Sequence, residues 1–341
     1  MRIVAFFVAG LLLLGCGASP PDASSIGADS SALKFYYVAP DPLGVNPFLI
    51  MGKKGIESAA RVHGAEARVL ESEDPTTRDE NLRAAIEDGA SVIVVLGFEF
   101  NDTISRLAPQ APEVRFLIVD HCLDDPPKNV YCGVFREFDA GFLIGAEAAL
   151  LTETGHVGSV GVVDIPFLRR YTDSFAAGVR YIDPNIQVST RWVGGERPFA
   201  DPVRAKEQAV ALAAAGADHI LAAAAAGNFG IFEAAAEQDF RVFGIDIDQC
   251  SSAPGHVVDN LIKRVDRVII ESIDAILSGS GDQLLVYGLE QDGVDVGALS
   301  DDAGDSPCLI FGYPEVVETI RELEEQIIRG DVGIEDPMGL L

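Results

Sequence analysis

From residue 34 onward the chain alternates short, strongly apolar runs with longer stretches whose apolar positions recur at helical spacing. Runs at 34–39, 65–71, 92–97, 115–120 and 129–134 read as strands, as do those at 156–162, 188–193, 217–222 and 241–246. The spacing predicts helices over 51–63, 78–88, 139–151, 169–181, 202–215, 229–238 and 257–277, with an amphipathic helix over 315–329. Val92-Ile93-Val94-Val95-Leu96 is apolar at every position, which suits a strand buried on both faces of a parallel sheet. Strand–helix alternation that runs twice predicts two doubly wound, Rossmann-like α/β lobes. Ligands of such sheets sit beyond the carboxyl ends of the strands, so the residues just past each apolar run are the candidates for function.

The N-terminus breaks this pattern. An apolar run over 3–14 follows Met1 and Arg2, too short to span a bilayer, and ends in Leu13-Leu14-Gly15-Cys16. That ending resembles a bacterial lipobox, which implies a signal peptide over 1–15, lipidation of Cys16 and a flexible tether over 16–33. The expected location is the cell envelope, anchored to a bacterial membrane and facing the periplasm or the exterior. With 25 basic and 53 acidic side chains the formal charge is −28, a field that repels phosphate backbones and argues against a nucleic-acid partner.

Export changes how the other cysteines read, because four thiols, Cys122, Cys132, Cys250 and Cys308, would meet an oxidising compartment. Three pairings are open to them, besides buried free thiols. The simplest joins Cys122 to Cys132 across a turn through Asp124-Asp125-Pro126-Pro127, and Cys250 to Cys308. No C-x-x-C motif occurs and the five histidines sit on unrelated elements, so no metal is expected. No Gly-Lys-Ser/Thr, G-x-S-x-G or H-E-x-x-H sequence is present either, and no cofactor is expected. Two lobes without a catalytic constellation suggest a receptor that captures a solute rather than an enzyme.

Several segments then narrow the class. Asp164-Ile165-Pro166 with Arg169-Arg170-Tyr171 and Phe175, Gly244-Ile245-Asp246-Ile247-Asp248-Gln249, and Lys263-Arg264-Val265-Asp266 carry the clearest resemblance, supported by Phe135-Arg136-Glu137 before Gly141-Phe142-Leu143 and by residues 202–207. From about Lys34 to its end the chain resembles the basic membrane protein family of substrate-binding lipoproteins, which includes the purine nucleoside receptors of bacterial ABC importers. The resemblance implies a type I periplasmic binding protein fold, with two lobes joined by three hinge crossovers and closing on ligand. The expected lobes are 34–134 plus 256–282 and 135–255 plus 283–341. An ABC permease is the implied partner of a monomeric receptor. One segment departs: Asp41-Pro42-Leu43-Gly44-Val45-Asn46-Pro47-Phe48-Leu49 is two residues shorter than the family's usual Asp-x-Gly-Gly-x-Asn-Asp-Lys-Ser-Phe-Asn and looks more like the sugar-binding branch. A sugar, another ribityl or aromatic solute, or a sensory binding role therefore stand as alternatives to a nucleoside.

A nucleoside offers a flat base and a ribose diol, which call for aromatic faces and charged hydrogen-bond acceptors. Phe48, Phe98, Phe199 and Tyr171 are the candidate rings. Asp120 and Asp246 end apolar runs where a carboxylate could accept two hydroxyl bonds, while Asp248 lies one step further and reads as structural. Lys263 could donate to the base while neutralising Asp246. Asp41 opens the divergent segment, and Asn46 either orients the ligand or caps the following helix. Gly227 and Asn228 would let the backbone approach the ligand closely.

Overall fold

In the computed structural model, which describes residues 33–300 and 306–339, β1 (Lys34–Ala39) leads into a loop that Asn46 closes by capping α1 (Pro47–His63). Its Oδ1 accepts the Phe48 N–H at 3.1 Å, Pro47 pre-sets the first turn, and Gly64 at φ 63° stops the helix in the left-handed region. There follow β2 (Glu66–Glu71), α2 (Pro75–Glu87), β3 (Val92–Leu96), α3 (Asn101–Leu107), β4 (Arg115–Val119) and β5 (Val130–Phe135). After α4 (Glu137–Leu151) come β6 (His156–Gly161), α5 (Pro166–Ile182), β7 (Gln187–Trp192), α6 (Pro202–Ala214), β8 (His219–Ala223), α7 (Asn228–Gln238), β9 (Arg241–Asp246) and β10 (Val257–Lys263). The chain ends with α8 (Val265–Ser278), β11 (Leu284–Tyr287), β12 (Val294–Val296) and α9 (Pro314–Ile328).

Two six-stranded sheets result, in the orders β11-β5-β4-β3-β1-β2 and β12-β10-β9-β8-β6-β7. Every pairing is parallel except β10 with β12. All five residues of β3 and of β8 are buried, as strands with helices on both faces require. The chain passes between the sheets three times: at Arg136, at Arg264 and through residues 288–293. In the second lobe α4 packs on α5 with almost no side-chain spacer. A Cβ at Gly145 would strike the carbonyl of Phe175, and one at Gly178 the carbonyl of Phe142. The small residues of the run Ala140-Gly141-Phe142-Leu143-Ile144-Gly145-Ala146 thus set the distance between two helices.

One expected element divides. The helix expected over 257–277 is a strand followed by a helix, broken at Arg264. All seven residues of β10 are buried, and its two central polar residues are held by backbone: Asp259 accepts the Ala298 N–H at 3.0 Å, and Asn260 Oδ1 accepts that of Gln249 at 3.1 Å. This moves the lobe boundaries. Residues 257–263, expected with the first lobe, pair with β9 in the second sheet. Residues 284–287, expected with the second lobe, pair with β5 in the first. The leader, Cys16 and the tether up to residue 32 lie outside the described residues.

Candidate ligand-binding site

The carboxyl ends of the two sheets face one cleft of about 670 Å³, counting its open mouth. The first lobe contributes Asp41, Asn46, Phe48, Phe98, Glu99 and Asp120, and the second Phe167, Leu168, Tyr171, Phe199 and Asp246, with Lys263 at the end of β10. Asp120 and Asp246 occupy equivalent places, each one step beyond or at the end of its strand and each with left-handed backbone, φ 80° and φ 73°. Asp tolerates that region better than most residues, and the twist turns both carboxyls out of their sheets.

Lys263 is 1% exposed and organises the charge. Its Nζ donates to Asp120 and, at 2.6 Å, to the Tyr171 hydroxyl, so one ammonium ties a residue of the first lobe to one of the second. It also lies 4.8 Å from the Phe135 ring centroid, 5.1 Å from that of Phe48 and 5.4 Å from that of Tyr171. Burial alone would lower the pKa of this amine, but the charges of Asp120, Glu137 and Asp246 outweigh it and hold the group above its ordinary value. Asp120, rather than Asp246 as expected from the sequence, is its direct partner. Burial pushes Asp246 up to about 6, against the pull of Lys263, and Glu137 up to about 7.

Behind Tyr171, Arg170 makes a bidentate pair with Asp336, both bonds 2.7 Å, and lies 3.5 Å from Glu137. The segment after α9 is thereby fastened to α5 beside the first crossover. On another side of the cleft, the Phe167 ring meets Phe98 at 5.9 Å and His121 at 5.5 Å, edge to face, joining the two lobes through apolar contact.

A buried ammonium among carboxylates, ringed by aromatic residues at two sets of strand ends, is equipped to hold a polar, partly flat solute. Residues 32–330 match the family model described as ABC transporter substrate-binding protein PnrA-like. The chain belongs to this family. Members of the Bmp family are solute-binding proteins of ABC transporters, a class that works outside the cytoplasm. The chain is 26% identical over 351 residues to the CD4+ T-cell-stimulating antigen of Listeria innocua, covering 95% of this chain and 94% of the relative. It is 27% identical over 348 residues to the ABC transporter nucleoside-binding protein BmpA of Lactococcus lactis, again covering 95% and 94%. An ABC transporter solute-binding protein of Aeropyrum pernix superposes with a TM-score of 0.75 at 22% identity, covering 88% of this chain and 92% of that one. These neighbours bear out the type I binding-protein fold expected of a Bmp protein. No helix among the described residues is long and apolar enough to cross a membrane.

Of the residues singled out from the sequence, Asp41, Asn46, Phe48, Phe98, Asp120, Tyr171, Phe199, Asp246 and Lys263 line the cleft of this Bmp protein. Gly227 and Asn228 do not. Asn228 is fully buried, accepting the Ala224 N–H at 2.9 Å and donating to Gln249 at 3.1 Å, and Gly227 packs against Ala205 and Ala224 at the start of α7. The four cysteines form two bonds, Cys122–Cys132 and Cys250–Cys308, with Cα separations of 5.3 and 5.0 Å. Sequence reasoning passed over Glu99, Phe167 and Leu168. Glu99 stands three residues after β3 and Phe167 at the opening of α5, both where strand-end logic pointed.

Proposed function

We propose that this Bmp protein is the lipid-anchored receptor of an ABC importer and captures a nucleoside, most simply a purine nucleoside, between its lobes. The observation that carries the reading is that aromatic residues from both lobes, Phe48 and Phe199, share one cleft with two carboxyls at strand ends and a buried ammonium. A base stacks on the rings, while Asp120 and Asp246 accept the ribose hydroxyls and Lys263 donates. The name of the Lactococcus relative supports the same ligand class. Cys16 carries the lipid, the partner is a permease, the receptor acts as a monomer, and no reaction is catalysed.

Native mass spectrometry of protein purified without dialysis tests the ligand. A co-purified nucleoside is expected. A pentose or hexose in its place overturns the nucleoside reading in favour of a sugar receptor, and turnover of the bound solute overturns the receptor assignment.

A further inference from the structure

Glu99 makes no direct bond to the charge network around Lys263, yet it lines the same cleft. It follows Gly97, whose φ of 82° turns the chain sharply out of β3. The carboxyl folds back so closely over Gly97 that a Cβ there would collide with Oε2, so a residue with a side chain at 97 would displace it. Oε2 is shielded from solvent and has no hydrogen-bond partner among the described residues. The Tyr37 hydroxyl, also buried in this region, has none either. A buried polar atom left unmatched in a ligand cleft is a cost that the ligand can remove.

The geometry points to Glu99 as a specificity-determining residue of the cleft, one that accepts a hydrogen bond from an N–H of the bound base and selects nucleosides carrying an amino group or ring N–H. This rests on the nucleoside reading. The groups facing Glu99 set its charge: Asp41 and Asp120 repel it, while its own backbone N–H and Arg78, bonded to the Pro40 carbonyl at 2.8 Å and lying 3.7 Å from Asp41, favour it. Burial is the largest influence and raises the carboxyl to about 7, so near neutrality it exists in both forms and gains most from a donor that stabilises the charged one. A base lacking N–H groups turns only ring-nitrogen lone pairs toward the carboxyl, so the charged form gains nothing from it and it can be met only by the protonated form.

Calorimetry with adenosine, guanosine and purine riboside, the last without an N–H on its base, tests this in the full chain and its E99A and E99Q variants. For the native protein, at least one donor-bearing nucleoside is expected to bind about 10- to 100-fold more tightly than purine riboside, as a hydrogen bond to a charged group provides. In E99A that margin falls below about threefold, with purine riboside bound no less tightly than before. E99Q, which keeps one carbonyl acceptor in a side chain of equal size, retains an intermediate margin, and the binding of purine riboside by E99A shows that its loss of selectivity is not misfolding. A margin unchanged in E99A, or purine riboside bound as well as the others by the native chain, overturns the role of Glu99 alone. Failure of all three to bind overturns the purine nucleoside reading and this inference with it.

Discussion

Replacing Lys263 with methionine removes the ammonium that Asp120 and Tyr171 share while keeping most of the apolar stem. The variant leaves Asp120, 7% exposed, and Asp246, 3% exposed, without their nearest buried cation, and Glu137 with Arg170 alone. Breaking a buried ion pair by deleting one partner costs about 3–5 kcal/mol, and that is the loss expected at pH 8. The loss must depend on pH, with a definite sign. The folded pKa of Asp246, about 6, lies above the ordinary carboxylate value of 3.8, so the group adds no penalty in strong acid, turns unfavourable as pH rises from the ordinary value and carries its full penalty above about 6. Lys263 lowers this pKa, and without it the window extends upward, so the gap between native and variant widens from pH 6 to 8 and narrows towards pH 5. Asp246 contributes at most about 1.4 kcal/mol per pH unit to this change. Urea unfolding of both proteins across that range measures the gap. A loss below about 1 kcal/mol at pH 8, or one equal at both ends of the range, refutes the account of Lys263 as the compensating charge.

Other outcomes follow from the same geometry. Phe48→Ala and Phe199→Ala are each expected to weaken nucleoside binding by about 1–3 kcal/mol through lost stacking and burial, read by calorimetry; normal affinity in both removes the aromatic clamp. Asp246→Asn, which keeps a residue able to hold φ 73°, should weaken binding by roughly 2 kcal/mol with little change in melting temperature. Converting Cys250 and Cys308 to serine opens a bond spanning 58 residues and should cost about 4 kcal/mol on chain-entropy grounds, against about 3 for the ten-residue span of Cys122 and Cys132. Thermal melts of the two double variants compare them, and non-reducing peptide mapping identifies the bonds. Asp336→Ala leaves Arg170 and Glu137 buried together and is expected to lower stability by about 3 kcal/mol, seen as a reduced urea midpoint.

Much of the fold was legible because its strands are short, apolar and bounded by turns, and β3 is the clearest case. β10 was not, because Val257-Val258-Asp259-Asn260-Leu261-Ile262 runs into α8 without glycine or proline, and its period fits either element. Backbone pairing with β9 and β12 decides for a strand, and Asp259 and Asn260 are then held by the N–H groups of Ala298 and Gln249. The cleft was legible where a polar residue directly follows an apolar run, as Asp120 does. It was not legible at Gly227 and Asn228, where a turn-like pair is a helix start tied to Gln249. Asn46 caps α1 and lines the cleft at once, so both of its readings hold. The partner of Lys263 depends on the approach of two lobes and has no trace in local spacing.

The bond between Lys263 and Asp120 has a kinetic meaning. It joins a strand of one sheet to the end of a strand in the other, so wide separation of the lobes must break it and water must reach both charges. A solute enclosed behind it is therefore expected to leave no faster than that rupture occurs. Variants of this contact are then expected to differ in affinity mainly through the rate of release rather than the rate of capture. Because Asp120 and Lys263 also line the cleft, a change at this one contact is expected to shift release and recognition together.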